Sequence, residues 1–305
     1  ASQGIYRIAQ IERLEHVVTP KSISPIAFFH QLRRKALVHI QTHFPNPMRH
    51  YMTGLLFGYL DKEFDEQSQL YTSLGIIHLF ALSGMQVGFF LGWFRYGLLR
   101  LGLPKNYILA ILLPFSIFYG LMTGWTASVL RSLIQSLLAE CGIKKLNNMG
   151  ITLLLFFLVL PHFLLTVGGV LSCSYAFLLC LFNFEEMPSF KKSIYMSLVL
   201  SLGTLPFLTY YYGTFQPLSL ILTAIFSLVF DSFLLPVLTV LFTLSGMVIF
   251  SQFNTLFEWM EFFLTWVQSW GVQPLILGKP SLFQFVSMIF VLVFLFDFWK
   301  KPQFR

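Results

Sequence analysis

The feature that most constrains this chain is the recurrence of apolar runs close to the roughly 20 residues that cross a hydrocarbon core as a helix. The first of them, Leu74–Gly92, carries His78, Ser83 and Gln86 near its middle and glycines at 84, 88 and 92. Polar groups at such depth are costly unless they face protein or water. Glycines four apart leave one helix face without side chains, where a second helix can approach closely. The run therefore predicts a segment inside a bundle, with Gly84, Gly88 and Gly92 as close-packing positions.

Composition fits that reading. Hydrophobic residues make up 56% of the 305 residues and charged residues 11%, where a soluble domain carries about 25% charge. Aromatic content is 18%, with 36 phenylalanines, and the formal charge is +7. A soluble globular enzyme is excluded. The predicted fold is all-α: a polytopic membrane helix bundle with seven to nine spans plus half-membrane and interfacial amphipathic helices. The abrupt ends at Ala1 and Arg305 are those expected of a piece excised from a longer chain.

Two regions are predicted. Residues 1–47 form a basic juxtamembrane segment holding Arg7, Arg13, Lys21, Arg33, Arg34 and Lys35, a charge balance suited to anionic headgroups or polyanions. Within it, Ile26–Phe44 has helical apolar spacing and predicts a helix lying in the headgroup region, ended by Pro45 and Pro47. Residues 48–305 form the transmembrane region. Met48–Leu60 is too short to span and predicts a half-membrane helix. Spans are then expected over Leu74–Leu99, Tyr107–Met122 and Thr123–Glu140. A hairpin follows over Met149–Leu165 and Gly168–Phe184, broken at Gly168-Gly169. Ser193–Tyr212, Pro217–Pro236 and Val237–Phe250 come next, with Pro236 dividing the last two. Asn254–Trp270 predicts an interfacial helix with Glu258, Glu261, Thr265 and Gln268 on one face and Trp259, Phe263, Trp266 and Trp270 on another. Ser281–Trp299 is the final span.

The sharpest polar residue is Arg131. Ser128, Arg131, Ser132 and Gln135 fall at i, i+3, i+4 and i+7, one stripe of an otherwise apolar helix. An arginine at mid-helix costs about 2.5–3.5 kcal/mol on insertion scales unless solvated or paired. It can pair with Asp231, an acid deep in the later apolar runs, or meet a phosphate in a hydrated path. His78, Ser83 and Gln86 can line a path or bond across helices. Gly168 and Gly169, with Ser172 and Ser174, read as close packing in the bundle. Cysteines 141, 173 and 180 have no metal or disulfide spacing. With neither a metal-ligand cluster nor a nucleotide-binding loop, no metal, cofactor or ATP hydrolysis is expected. From the residues alone, a proton- or ion-coupled small-solute transporter with Asp231 as coupling site is one alternative. An intramembrane serine hydrolase using Ser83 and His162 is another.

Residues 75–88, Gly-Ile-Ile-His78-Leu-Phe-Ala-Leu-Ser83-Gly84-Met-Gln86-Val-Gly, resemble the GxxHLxAxSGxHV signature of the ComEC competence family. Three later stretches are similar to family segments in the same order. They are Gly124-Trp-Thr-Ala-Ser128-Val-Leu-Arg131-Ser, Pro161–Phe177, and Leu205-Pro206 through Tyr211-Tyr212-Gly213. Gln86 stands where the family usually has His and Ser132 where it has Ala.

The resemblance implies an inner-membrane channel that passes single-stranded transforming DNA into the cytoplasm without covalent change. It also implies a multi-pass protein of the bacterial cytoplasmic membrane. Its partners would be an external DNA receptor and a separate cytoplasmic ATPase, with homo-oligomer assembly left open. Any nuclease activity is expected outside these residues. Such a path needs cations for phosphates and aromatic faces for bases, for which Arg131, Ser128, Gln135, His78, Ser83, Gln86, Tyr210 and Tyr211 are the candidates.

Overall fold

In the computed structural model, residues 24–60, 64–80, 84–181, 188–244 and 250–300 are described. The chain opens with α1 (Pro25–His43), capped by Ser24, whose hydroxyl accepts from the Ala27 amide at 3.2 Å. The short α2 (Met48–Phe57) follows, buried along its length except at Arg49. A ten-residue helix is about 15 Å long, half a hydrocarbon core. Arg33 of α1 donates from Nη2 to the Phe57 carbonyl at 3.3 Å. That places a cation at the negative end of the α2 dipole.

Leu74–Leu99 is not the single helix its hydropathy predicts. α3 (Asp65–Ser73) ends before it, a 3-10 turn covers Ile77–Leu79, and α4 begins only at Gly84 and runs to Arg100. Gly75 enforces the break: it has φ +73°, and a Cβ there would stand 2.8 Å from the Ser219 Cβ. The left-handed conformation stops a helix, and the close approach admits no side chain.

α5 (Lys105–Thr123) runs through Pro114 and ends at Gly124, φ +83°. Residues 124–126 are thus a turn, and α6 (Ala127–Glu140) starts after it. α7 (Lys145–Val159), the single turn α8 (Pro161–Leu164) and α9 (Val167–Leu181) make the predicted hairpin. Its break lies at residues 160–166 instead of at Gly168-Gly169, because Thr166 caps α9 by accepting from the Gly169 amide at 3.0 Å.

Past α10 (Ser189–Tyr212), the segments α11 (Leu218–Val229) and α12 (Leu235–Thr243) form one continuous helix joined by a π turn over Phe230–Leu234. Pro236 does not divide it. The proline sits in the first turn of α12, where the π turn has already taken up the local change of pitch. α13 (Phe250–Gln268) and α14 (Leu282–Lys300) close the chain. One departure from a purely helical fold is a two-residue antiparallel pairing of β1 (Thr214–Phe215) with β2 (Leu275–Ile276).

Three described helical stretches are long and apolar enough to cross a membrane: Asn106–Thr123, Ile194–Tyr212 and Leu218–Thr243. Lys145–Val159, Val167–Leu181 and Leu282–Leu295 are apolar but shorter. The expected seven to nine spans are not reached on that count. The reason is that the chain breaks its apolar runs into pieces.

The main core forms around α2. Tyr51 is fully buried, with ring contacts to Tyr71, Phe80, Phe230 and Phe257, and its hydroxyl lies 2.5 Å from that of Tyr71. α13 docks on this core through Phe257, Leu264 and Val267, while Trp259, Phe262 and Trp266 point outward. Asn254 fixes the docking: it accepts from the Met48 amide (3.2 Å) and donates to the Asn46 carbonyl (2.8 Å) and Glu258 (2.6 Å). A second, smaller core joins Val87 and Leu91 of α4, Tyr119 of α5, and Val129 and Leu133 of α6.

Candidate functional site

The Arg131 stripe sits where α4, α6, α7 and α9 meet. Only 8% of Arg131 is exposed. Its Nε donates to Ser172 Oγ of α9 at 2.9 Å and its Nη1 to Gln135 Oε1 at 2.6 Å. Gln135 passes the chain of bonds onward: its amide donates to Met149 Sδ at 3.0 Å, and its backbone carbonyl accepts from Asn148 at 2.7 Å. Ser132 turns its hydroxyl back onto the Ser128 carbonyl at 2.7 Å. The third guanidinium nitrogen, Nη2, faces the start of α4, where a Cβ on Gly84 would lie 3.1 Å from it and 2.7 Å from Ser132 Oγ.

Among the described residues no carboxylate pairs with Arg131. The pairing with Asp231 does not form; Asp231 is held in the π turn, and the arginine's bonds go to neutral groups. A buried cation satisfied only by hydroxyl and amide oxygens keeps its charge uncompensated, which is expensive in a low-dielectric interior.

The helix directions concentrate positive potential at the same place. Gly84 lies against Arg131 and Ser132 at one end of the α4–α6 contact, and Arg95 pairs with Glu140 at 2.5 Å at the other, so the two helices run in the same direction. α7 and α9 run oppositely, with Cys180 Sγ 3.6 Å from the Lys145 carbonyl at one end and Phe156 against Phe163 at the other. α6 and α7 are joined by the short turn 141–144 and bonded through Gln135 and Asn148. α9 therefore runs with α6. Two helix starts, at Ala127 and Val167, share one end of the bundle, and each contributes a partial positive charge there.

The remaining expected site residues are dispersed. Gln86, 2% exposed, is buried in the first turn of α4, two residues beyond the close contact at Gly84. His78 is exposed in the 3-10 turn, and Ser83 lies outside the described residues. Tyr210 and Tyr211 pack on each other, and Tyr210 also on Phe285 of α14 at 4.9 Å. Among the described contacts none joins them to Arg131.

Of the glycines, Gly84 meets α6 as stated, and a Cβ on Gly169 would strike the Phe163 carbonyl oxygen. Gly88, Gly92 and Gly168 differ from expectation, since a Cβ at each would meet nothing within 4 Å. α4 packs on α6 through the 84, 87, 91 edge, and the faces bearing 88 and 92 are turned away from it.

Asn148 and Met149 join the site without a sequence signal of their own beyond a polar start to an apolar helix. Ser172 was visible as a polar residue after Gly168-Gly169, but its partner was not.

No solved structure matches the chain. One curated relative is ComE operon protein 3 of Bacillus subtilis (strain 168), 27% identical over 247 residues. That alignment takes in 75% of this chain and 32% of the relative, so the chain spans about a third of that protein's length. The family model described as Competence protein matches residues 55–302, a stretch that holds every helix from the end of α2 to α14 and the whole Arg131 cluster. On that match, the chain belongs to the Competence protein family, the ComEC competence family that residues 75–88 resemble.

Proposed function

We propose that this region is an inner-membrane conduit through which single-stranded transforming DNA enters the cytoplasm. The observation that carries the reading is Arg131: a buried guanidinium with no carboxylate partner among the described residues, inside the bundle of a Competence protein family member. A strand is a row of phosphates, and its passage through a low-dielectric bundle requires fixed positive charge along the way. Hydroxyl and amide groups beside that charge, here Ser172 and Gln135, let phosphates exchange without tight capture.

The shorter apolar helices α7, α9 and α14, together with the more polar α4 and α6, complete the spanning set in this reading, with α2 as a half-membrane helix and α1 and α13 in the interface. The protein is then multi-pass in the cytoplasmic membrane. These residues leave the DNA chemically unchanged, and a DNA receptor outside and an ATPase inside are the proposed partners.

The test is uptake of labelled DNA by competent cells carrying an in-frame deletion of residues 48–300, scored separately for surface-bound and internal DNA. Internal DNA should vanish while surface binding persists. Unchanged internal DNA would reject the conduit.

One observation favours a second reading, ion-coupled solute transport. Asp231 occupies a π turn inside a 26-residue apolar helix, and such turns recur at functional sites. Proton-driven solute uptake into liposomes separates the two readings: coupling through Asp231 predicts such uptake in wild type and its loss in Asp231→Asn, whereas the conduit predicts none, with cellular DNA uptake by Asp231→Asn within about twofold of wild type.

A further inference from the structure

Resting on the conduit reading, we infer that the strand's path is the space enclosed by a ring of five helices, α4, α6, α9, α10 and α11, and that the bare faces of Gly88, Gly92 and Gly168 set its bore. The ring closes contact by contact. Val87 and Leu91 of α4 pack on Val129 and Leu133 of α6, and Arg131 of α6 bonds Ser172 of α9 at 2.9 Å. Leu178 of α9 lies against Gly203 of α10, and Tyr175 of α9 hydrogen-bonds Thr204 of α10. Ser197 of α10 donates to the Leu220 carbonyl of α11 at 3.1 Å. Phe89 and Phe90 bring the ring back to α4, packing on the core that holds Phe226 of α11 and Phe230 of the π turn. Among the described residues no comparable packing joins α4 to α9 or α10, or α6 to α10 or α11. The centre is therefore not filled by direct helix contact.

Helical spacing fixes which residues face that centre. On α4, Phe90 and Phe94 meet α5, with ring centroids 5.3 Å from Tyr119 and 4.0 Å from Phe115, so α5 lies outside the ring. Gly88 and Gly92 stand on the side away from α5, between the edge that meets α6 and the edge that meets the main core. On α9, Cys180 faces α7, which also lies outside. Gly168 and Tyr175 stand between Ser172, which meets α6, and Leu178, which meets α10. On α6, Ser128 falls between Arg131 and the α4 edge at Ser132. Three glycines on two helices thus face one space, and a Cβ at each meets nothing within 4 Å. Protein interiors hold few voids larger than a water molecule, so open space at three such positions marks a passage and not a packing defect. Arg131 stands at the Gly84 end of it for phosphates. Tyr175, about 10 Å along α9 from Gly168, offers a ring for bases.

The experiment places leucine on the bare faces. A side chain at 88, 92 or 168 enters open space without displacing a neighbour, and leucine has a higher helix propensity than glycine. Gly88→Leu, Gly92→Leu and Gly168→Leu should therefore accumulate at the wild-type level. Each should cut internal labelled DNA in competent cells about tenfold or more while surface binding persists. Gly150→Leu is the control. Its Cβ also meets nothing within 4 Å, but it lies outside the ring, on the face of α7 opposite the buried Asn148, Met149, Thr152 and Phe156. It should import DNA within about twofold of wild type. Normal import by all three ring variants would overturn the path, as would equal losses in all four.

Thiol labelling tests the space apart from the strand. The full chain is placed in liposomes in a Cys141→Ser, Cys173→Ser, Cys180→Ser background. Gly88→Cys, Gly92→Cys and Gly168→Cys should react with a charged methanethiosulfonate about tenfold or more faster than Leu154→Cys, which faces outward from α7 at 58% exposure. Equal rates would set the glycines against lipid and overturn the inference. The outcomes separate from those of the conduit. If deletion of residues 48–300 abolishes uptake while the three leucine variants import normally, the conduit stands and this path is rejected. If the deletion leaves uptake unchanged, the conduit is rejected and the strand's path with it, even where fast labelling shows a passage.

Discussion

At the scale of single residues, Arg131 and Gly84 show what a one-dimensional pattern can and cannot convey. The polar stripe from Ser128 to Gln135 is legible because helical spacing alone places those residues together, and the structure joins Arg131 to Gln135 directly. Ser172 lies 41 residues away, and no local rule says which serine an arginine will find. The glycine triplet misled for a related reason. Glycines at 84, 88 and 92 share a spacing, but which helix edge is covered depends on the partner, and only Gly84 lies on the covered edge.

Removing Ser172's hydroxyl leaves a buried charged donor unmatched, and the loss of such a partner costs about 1–3 kcal/mol. Ser172→Ala should therefore lower the midpoint of chemical unfolding in detergent, whereas Ser174→Ala, which removes a hydroxyl with no described bond to Arg131, should leave it nearly unchanged.

At the scale of elements, the sequence conveyed helix existence well and helix continuity poorly. The run from Leu74 reads as one span because its residues are apolar, yet Gly75 turns the chain at its start and α4 begins ten residues later. The proline at 236 misled in the opposite direction, since the adjoining π turn absorbs it. The amphipathic character of α13 is plain from its spacing, but the face that docks is the Phe257, Leu264, Val267 face, and the tryptophans look outward. Three faces on one helix do not reduce to a polar side and an apolar side.

Asn254 ties α13 to the start of α2 with two bonds. Asn254→Ala strands the buried Met48 amide and should cost about 1–3 kcal/mol, seen as faster hydrogen exchange across α13 and α2. The same helix carries a pH response. Burial first, and the neighbouring Glu258 charge second, push the Glu261 carboxyl up to about 7. An acid raised above its unfolded value of about 4.3 stabilises the fold fully below that value. The contribution is lost as pH rises through about 7. Thermal stability in detergent should be lower at pH 8 than at pH 5.5, and Glu261→Gln should remove the difference.

For the whole molecule, class was legible from composition and membership from one signature, because both are carried by residue identity. The number of crossings was not, because it depends on where runs break and how pieces stack. α14 illustrates the point: apolar over Leu282–Leu295, it rests on α10 through Phe285 against Phe207 and Tyr210, while Phe283, Phe290 and Phe294 are exposed, a surface suited to lipid. The polar interior lies elsewhere, at the common end of α4, α6 and α9.

The central claim is that the strand passes that interior. It is tested most directly by a photo-crosslinking amino acid placed at Ser128 in one strain and at Phe290 of α14 in another, with light applied while competent cells import labelled DNA. The account predicts single-stranded DNA adducts at 128 and none at 290. Cells that import DNA normally and give no adduct at 128, or equal adducts at both positions, would contradict it.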